Sequence, residues 1–176
     1  FIGAELGQWH EWDSNGQLDW YLLQQPLNQK IHRFFKEINA FYKKEAALWE
    51  IDFGWEGFEW LVPDDNHNNV VVFLRKDKKG RDLMCAVNFS PNTYENYRMG
   101  VPPHRRDVPV FNTDDPAYGG AGFGDKEPVA VERIASHGKE QSAAIRIPAF
   151  GAVFLRGEGK LPKPRKKSKA KELENP

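Results

Sequence analysis

The chain has little cysteine and no excess charge of either sign. Cys85 is the one cysteine among 176 residues, which excludes an internal disulfide and a thiolate metal cluster within the chain. It lies in the apolar run 83–87 and is therefore predicted to be a small buried side chain. The 25 Lys and Arg residues balance the 25 Asp and Glu residues. This balance argues against a dedicated nucleic-acid-binding protein.

Long apolar runs are absent too. No stretch approaches the ~20 apolar residues that cross a bilayer, and no basic and then apolar leader opens the chain. We therefore expect no membrane partner and a location in a reducing cytoplasm. The chain begins with Phe1 rather than Met, which suggests a part of a longer protein.

The histidines do not form a metal-binding pattern. His10-Glu11 lacks the second histidine, four residues on, that a helical zinc site needs, and the other histidines are scattered. We expect neither a metal nor a cofactor. His137, within Ser136-His137-Gly138, is predicted to be a turn residue, because the sequence contains no nucleophile elbow.

Aromatic and acidic side chains are abundant at the start of the chain. Residues 1–20 hold three Trp, four carboxylates and three Gly. The apolar pair Phe1-Ile2 predicts a buried strand that ends at a binding loop, since loops held at strand ends often carry function. Aromatic faces beside acids and amides suit a sugar. The alternative is a capped turn whose Trp side chains pack under the next helix.

A helix is predicted from Pro26, a residue that is favourable at the first helical position. Lys43 and Lys44 suit its C-terminal end, and 45–49 predicts a further short turn. A broad apolar stripe marks one face of the helix: Leu27, Ile31, Phe34, Phe35, Ile38 and Phe41. Nothing earlier in the chain is large enough to receive this face, so its expected partner is a missing body.

From Gly57 onward the sequence predicts strands. Period-two patterns and apolar runs are separated by turn residues, which indicates an antiparallel β-sandwich. The predicted strands are Phe58–Val62, Val70–Leu74, Leu83–Phe89, Tyr94–Met99, Val108–Phe111, Val129–Ile134, Ala143–Ile147 and Ala152–Leu155.

Two short motifs are interpreted as structural. The glycine cluster Gly119–Gly124 has no Lys-Ser/Thr after it and no strand–turn–helix context, so it predicts a floppy loop rather than a phosphate site. Asn88-Phe89-Ser90 matches a glycosylation sequon, which we interpret as chance because it follows an apolar strand and precedes Pro91.

Several short segments of the sequence occur in the same order as similar segments in one enzyme family. They begin with Gly3-Ala4-Glu5-Leu6-Gly7-Gln8, Glu11-Trp12-Asp13 and Leu18-Asp19-Trp20, and continue with Gly57-Phe58-Glu59-Trp60, Asn88-Phe89-Ser90-Pro91, Phe111-Asn112-Thr113-Asp114 and Ile134 to Gly138. In this order they resemble the C-terminal part of bacterial 1,4-α-glucan (glycogen) branching enzymes of the α-amylase superfamily, glycoside hydrolase family 13. The resemblance covers roughly residues 1–156. It departs from the family at Ala4 and Leu6, where many similar enzymes carry Asn and Phe.

The resemblance implies a mostly β fold preceded by the end of a truncated (β/α)8 barrel. Residues 1–50 would be the end of barrel strand eight, a loop and the last helix. Residues 51–157 would form the C-terminal β-sandwich, and 158–176 a disordered basic tail.

The resemblance also implies a division of the chemistry. Such enzymes cut α-1,4-glucan with a nucleophilic carboxylate and an acid/base carboxyl, and pass the segment to a 6-hydroxyl. The family places these acids after earlier barrel strands, so this chain should hold no catalytic residue and be inactive alone. Its candidate substrate-binding residues are Glu5, Gln8, Trp9, Glu11, Trp12 and Trp60, where Trp60 is either a surface platform for glucan or part of the sandwich core.

Two other functions remain open at this point. One is a free-standing glucan-binding module without catalysis. The other is a fragment of a trehalose-forming or debranching relative, which can share the Gly-x-Glu pattern. The expected partners are α-glucan chains such as glycogen and amylose, and the full-length enzyme is expected to be a monomer.

Overall fold

A computed structural model describes residues 2–159 of the chain. Helix α1 spans Pro26–Lys44, as predicted, and the predicted turn after it is a 3₁₀ turn at Ala46–Leu48. Eight strands follow: β1 Phe58–Asp65, β2 Val70–Lys76, β3 Asp82–Asn88, β4 Tyr94–Gly100, β5 Arg106–Asn112, β6 Val129–Ala130, β7 Ser142–Ile147 and β8 Ala152–Glu158. The predicted basic tail lies, apart from its first two residues, outside the described part of the chain.

The strands form two antiparallel sheets. The larger sheet has the order β1-β2-β3-β8-β5-β6, and β4 pairs with β7 in the smaller one. One apolar core lies between them, because buried side chains of both sheets pack together, among them Val72, Met84, Met99, Ile145 and Leu155. The predicted antiparallel sandwich is therefore confirmed.

The last predicted strand before β7 is shorter than expected. Only Val129–Ala130 belongs to β6, whereas the sequence predicts a strand to Ile134. The chain changes partner at this point: Val131 N–H donates to Arg105 on the β5 side, and Glu132 already bridges to Ser142 of β7. The apolar run thus crosses from the larger sheet to the smaller one and cannot continue in either.

Helix α1 packs on the outer face of the larger sheet. Phe41 stacks on Phe111 of β5, with ring centroids 5.0 Å apart, and meets Phe154 of β8 edge-on at 5.4 Å. The expectation that only a missing body could receive the helix is wrong, because residues later in the chain cover part of its stripe. The cover is incomplete, since no residue of α1 is buried and Leu27 in the first turn is 75% exposed.

The start of the chain also differs from the prediction. Ile2 lies in a turn and is 54% exposed, and no described residue pairs with it in a strand. The strand prediction is therefore wrong at this residue, because a strand needs a hydrogen-bonded neighbour and none is present among residues 2–159.

The glycine cluster is a loop, but an ordered one. The Asp114 carboxylate accepts hydrogen bonds from the backbone N–H groups of Ala121 and Phe123, and the Asp114 carbonyl accepts a third from Gly122. Asn112 donates to the Phe123 carbonyl at 2.8 Å. The prediction of a floppy loop is wrong, because polar side chains just upstream satisfy its backbone.

Asn88 is a structural residue, as we interpret the sequon. It is 1% exposed, and its amide donates to the carbonyls of Asn92 and Pro148 at 2.7 and 2.8 Å. A buried amide with both donors satisfied is inaccessible to a glycosylating enzyme. His137 has a φ of 45° and lies in a turn, which confirms that prediction.

Within residues 2–159, no helix is long and apolar enough to cross a membrane.

Candidate functional site

The loop that contains most of the candidate residues is held by helix α1. Asn28 of the helix donates through Nδ2 to the carbonyls of Leu6 and Gly7, at 2.8 and 3.1 Å. Leu6 is fully buried within a 3₁₀ turn at Ala4–Leu6. Gly7 ends this turn with a φ of 62°, and a Cβ there would lie only 3.1 Å from Ile31 of the helix. The end of the turn is therefore in close contact with the N-terminal half of α1.

Residues 2–12 form an open depression of about 490 Å³. Three candidate residues lie in it together, and Glu5 and Trp9 do not. The lining residues are Ile2, Ala4, Gln8, His10, Glu11 and Trp12. Trp12 is 46% exposed, so part of its ring is available to a ligand.

Gln8 is the most constrained polar group of the depression. Its Nε2 donates to the His10 carbonyl at 3.3 Å, whereas its buried Oε1 accepts no hydrogen bond from any residue of the described part. Buried acceptors in folded proteins are normally paired, so this oxygen is an exception among the described residues. Gly3 makes room for the amide, because a Cβ at Gly3 would lie 2.5 Å from the Gln8 side chain.

The two candidate acids stay close to solvent. Glu11 is exposed and Glu5 is half-buried, and neither carboxylate forms an ion pair or hydrogen bond with residues 2–159. Trp9 is largely exposed and stands outside the depression. The loop thus offers an amide side chain, carboxylates and aromatic faces, which can receive the hydroxyls and the C–H faces of a sugar.

Trp60 lies on β1, apart from this depression. It is 53% exposed, so the interpretation as sandwich core is wrong. The pairing of β1 with β2 shifts register between Trp60 and Val62, and both Leu61 and Val62 enter the core as a result. Trp60 therefore points outward, where its ring meets Phe73 edge-on with the centroids 6.0 Å apart.

Two exposed aromatic residues near Trp60 in sequence were missed. Phe53 is fully exposed and Trp55 is 89% exposed, in the segment between α1 and β1. Both residues belong to a stretch without apolar periodicity and adjoin Gly54. Large aromatic residues in such a non-periodic, glycine-containing stretch are the signal that could have indicated them.

The described residues contain no cluster of three or more His, Cys, Asp or Glu side chains that could hold a metal ion. Cys85 is fully buried, as predicted, and burial raises the pKa of its thiol to about 12. A thiol with so high a pKa is a poor nucleophile at neutral pH.

A family model for the C-terminal all-beta domain of alpha amylase matches residues 60–158. The match covers more than half of the 176 residues and includes seven whole strands and most of β1. The chain belongs to this family. The predicted mostly β fold class and the resemblance to the α-amylase superfamily are thereby confirmed.

Similar proteins extend the match beyond the sandwich to α1. A protein of Desulfitobacterium hafniense named 1,4-alpha-glucan branching enzyme GlgB is 40% identical over 90% of this chain and 25% of its own length. Proteins of the same name from Pseudomonas putida and Aquifex aeolicus are each 39% identical, over 89% and 90% of this chain. The chain thus spans about a quarter of these relatives. The predicted resemblance to branching enzymes is confirmed.

Among solved structures, an alpha-amylase from H. orenii is 18% identical and covers 86% of this chain and 27% of its own, with a TM-score of 0.46.

Proposed function

We propose that the chain is the C-terminal part of a glycogen branching enzyme. In the complete enzyme, a segment of α-1,4-glucan is cut and transferred to a 6-hydroxyl of glucan, which forms an α-1,6 branch. One observation carries this proposal: about 40% identity to branching enzymes over about 90% of the chain. The catalytic acids belong to other parts of such an enzyme, and the isolated chain is inactive.

The proposal divides the chain into three parts. Residues 1–50 complete a catalytic barrel, 51–157 are the C-terminal sandwich, and 158–176 are a basic tail. The incomplete cover of α1 and the exposed Leu27 support a further body against this side of the molecule. The complete enzyme works as a cytoplasmic monomer on α-glucan, without nucleic acid or membrane.

The depression formed by residues 2–12 is the proposed rim for the acceptor chain. Branching requires that a glucan hydroxyl, and not water, reaches the enzyme-bound intermediate. Within the depression, Gln8 and Glu11 can hold acceptor hydroxyls and Trp12 can lie against a sugar face. Trp9 and Glu5 extend the proposed rim outside the depression. A bound acceptor competes with bulk water because binding raises the effective concentration of its hydroxyl at the intermediate. This advantage requires that the hydroxyl is aligned with the intermediate.

A chimaera of the Aquifex aeolicus relative tests the proposed activity. In the chimaera, the segment of the relative that matches this chain is replaced by the corresponding residues of this chain. We expect the chimaera to branch amylose, seen as a shift in the iodine spectrum and as new α-1,6 linkages after debranching analysis. The isolated 176-residue chain should leave the spectrum unchanged.

Variants of the chimaera test the rim. Gln8→Ala and Trp12→Ala should each lower branching about tenfold at subsaturating acceptor, equivalent to ~1.4 kcal/mol. Trp49→Ala is a matched control, because Trp49 is 44% exposed and lies outside the depression. A folded chimaera that binds glycogen without transferring it would contradict the proposed activity and favour a binding module. Equal activity of all three variants would contradict the rim.

A further inference from the structure

The structure contains a histidine–aspartate pair that is buried from solvent and that the proposed function does not use. His104 Nε2 lies 2.5 Å from Asp107 Oδ1. The Asp107 side chain is fully buried and the His104 side chain is 8% exposed. The second oxygen, Asp107 Oδ2, is buried and has no hydrogen-bond partner among residues 2–159. The imidazole is thus the main polar partner of a carboxyl that water does not reach.

The pair joins the beginning of β5 to the end of β8. Asp107 is opposite Gly157 in the ladder between these strands. The imidazole occupies the space that a side chain at Gly157 would take, since a Cβ there would lie 2.6 Å from His104 Nδ1. Beside the pair, Arg105 N–H donates to the carbonyls of Glu158 and Gly159 at 3.0 and 3.2 Å. We call residues 101–105, which precede β5, the β5 lead-in.

Charged groups around the pair offer it little compensation. Asp82, at the start of β3, is the other acid close enough to His104 to interact with it, and Lys76, Glu59 and Asp77 act on Asp82 in turn. On the strands themselves, Arg106 forms an exposed ion pair with Glu158 at 2.9 Å and so is already neutralised. The remaining flanking charge, Arg105, is exposed.

We propose that His104 and Asp107 share one buried proton, and that loss of this proton at rising pH releases the β5 lead-in from β8. With the proton the pair is neutral overall, as imidazolium with carboxylate or as imidazole with carboxylic acid. Without it, a carboxylate remains in a dry site with one neutral hydrogen bond. A buried charge of this kind is costly, and the two groups titrate as one unit.

The direction of the pH dependence follows from the burial. Burial raises the pKa of Asp107, and the hydrogen bond from His104 lowers it by less. Between the usual ranges of Asp and His the unfolded chain also carries one proton, on the imidazole, and releases it as the pH rises through the usual histidine range. The folded pair keeps its proton to a higher pH, so its stabilisation is complete between these two ranges and is lost as the pH rises above the histidine range. Asp82, whose pKa burial also raises, acts in the same direction.

Two measurements on the 176-residue chain test the proposal. Urea unfolding is measured at several pH values between 4.5 and 8. The slope of the free energy of unfolding against pH gives the number of protons taken up on folding. Hydrogen exchange, corrected for intrinsic rates, reports opening at the Arg105 amide and at Val131, whose N–H donates to the Arg105 carbonyl. Both amides should open more at higher pH, while the Phe73 amide inside the larger sheet should not.

Asp107→Asn removes the titration and keeps an oxygen that accepts from His104. We expect it to take up about one proton fewer on folding and to abolish the pH-dependent opening. Asp64→Asn is the control, because Asp64 is an exposed carboxyl at the end of β1. The same pH slope in Asp107→Asn and in the unmodified chain would overturn the proposal.

A spectroscopic readout covers the case in which Asp107→Asn does not fold. In the unmodified chain, ¹⁵N shifts should show hydrogen on His104 Nδ1 while the pair holds its proton. That hydrogen should be lost at the same pH at which the Arg105 and Val131 amides begin to open. The proposal would be contradicted if the Nδ1 hydrogen were lost while the Arg105 and Val131 amides stayed closed. It would also be contradicted if the ¹⁵N shifts of the His104 ring did not change over this pH range.

Discussion

A shift of one position in β1 decides where a tryptophan points. Sequence alternation places Trp60 and Val62 on one face, but the register shift between them turns Val62 into the core and leaves Trp60 outside. Its ring is supported from the side by Phe58, with centroids 5.0 Å apart, and by Phe73. A supported ring with a free face is a suitable platform for the apolar face of a sugar.

Trp60→Ala should reduce retention of the chain in a glycogen-containing affinity gel. The expected loss of affinity is about fivefold, or ~1 kcal/mol, because one stacking face is removed. Phe89→Ala, which removes another exposed aromatic residue, and Cys85→Ala, which changes only buried atoms, should alter retention less. Equal retention of all three variants would contradict a platform at Trp60.

Asp77 shows how one side chain can fix a turn and set acid stability. Its Oδ1 accepts from the Lys79 and Arg81 amides at 2.9 and 2.8 Å, and its Oδ2 accepts from Arg81 Nε at 2.5 Å. Burial alone would raise the pKa of Asp77, but these hydrogen bonds outweigh it and lower the pKa below its usual range. The stabilisation is thus present above that range and is lost as the pH falls.

Asp77→Asn should lower the free energy of unfolding at pH 7 by about 1–2 kcal/mol, because an amide nitrogen replaces the acceptor for Arg81. Urea unfolding at pH 7, 5 and 3 measures the change. The difference from the unmodified chain should shrink toward pH 3, because Asp77 of the unfolded chain binds a proton more readily than Asp77 of the folded chain does. A difference that stays constant over this range would argue against an ionised Asp77 as its cause.

Helix α1 is fastened to the larger sheet at its C-terminal end. Glu45, the residue after the helix, is buried and forms an ion pair with Arg156 of β8. Arg75 of β2 donates to the carbonyls of Ala47 and Leu48 at 3.3 Å and pairs with Asp52 at 2.8 Å. The outer face of the sheet therefore supplies both apolar surface and cationic donors to the segment that follows α1.

Arg156→Met should loosen this attachment. The change keeps a long apolar stem but leaves the Glu45 carboxylate buried without its partner, at a cost of about 2 kcal/mol in the free energy of unfolding. Glu45→Gln in the same background should recover part of the loss, which a double-mutant cycle would measure. Arg105→Met, a change on an exposed cation, serves as control. If the effects of the two changes on the free energy of unfolding were fully additive, Glu45 and Arg156 would not stabilise each other, which would contradict the ion pair.

On the scale of the whole molecule, exposed aromatic and aliphatic residues are unevenly distributed. Eleven of the fourteen exposed large hydrophobic residues among the described ones lie between Ile2 and Trp60, and only three lie in the remaining sandwich. Exposed apolar side chains in such number are typical of surface that another body covers. This uneven distribution along the chain supports a contact of residues 2–60 with other parts of a longer enzyme.

The isolated chain should therefore self-associate. Its weight-average mass from size exclusion with light scattering should rise with concentration, and more so in sulfate, which strengthens apolar contacts. Leu27→Lys, at the uncovered first turn of α1, should reduce the association, and Phe150→Lys, in the β7–β8 turn, should reduce it less. A constant monomer mass at millimolar concentration would contradict an apolar contact surface.

The sequence by itself determined the elements that depend on local pattern. Pro26 and the 3.6-residue stripe predicted α1, and period-two runs bounded by turn residues predicted all eight strands, because side-chain burial follows directly from helix and strand geometry. The order of the short segments that resemble the family indicated the branching enzymes. The grouping of Gln8, Glu11 and Trp12 in one depression was consistent with the predicted loop but not derivable from it.

Only the tertiary structure decided what depends on contacts between distant residues. No local pattern specifies the partners in three of these cases. They are the bulge that turns Trp60 outward, the Asp114 hydrogen bonds that order the glycine loop, and the aromatic contacts of Phe41. The same holds for His104 and Asp107, since the imidazole packs at Gly157, fifty residues after Asp107 in the chain. Periodicity shows which face of an element is apolar, and the folded chain alone shows what lies against that face.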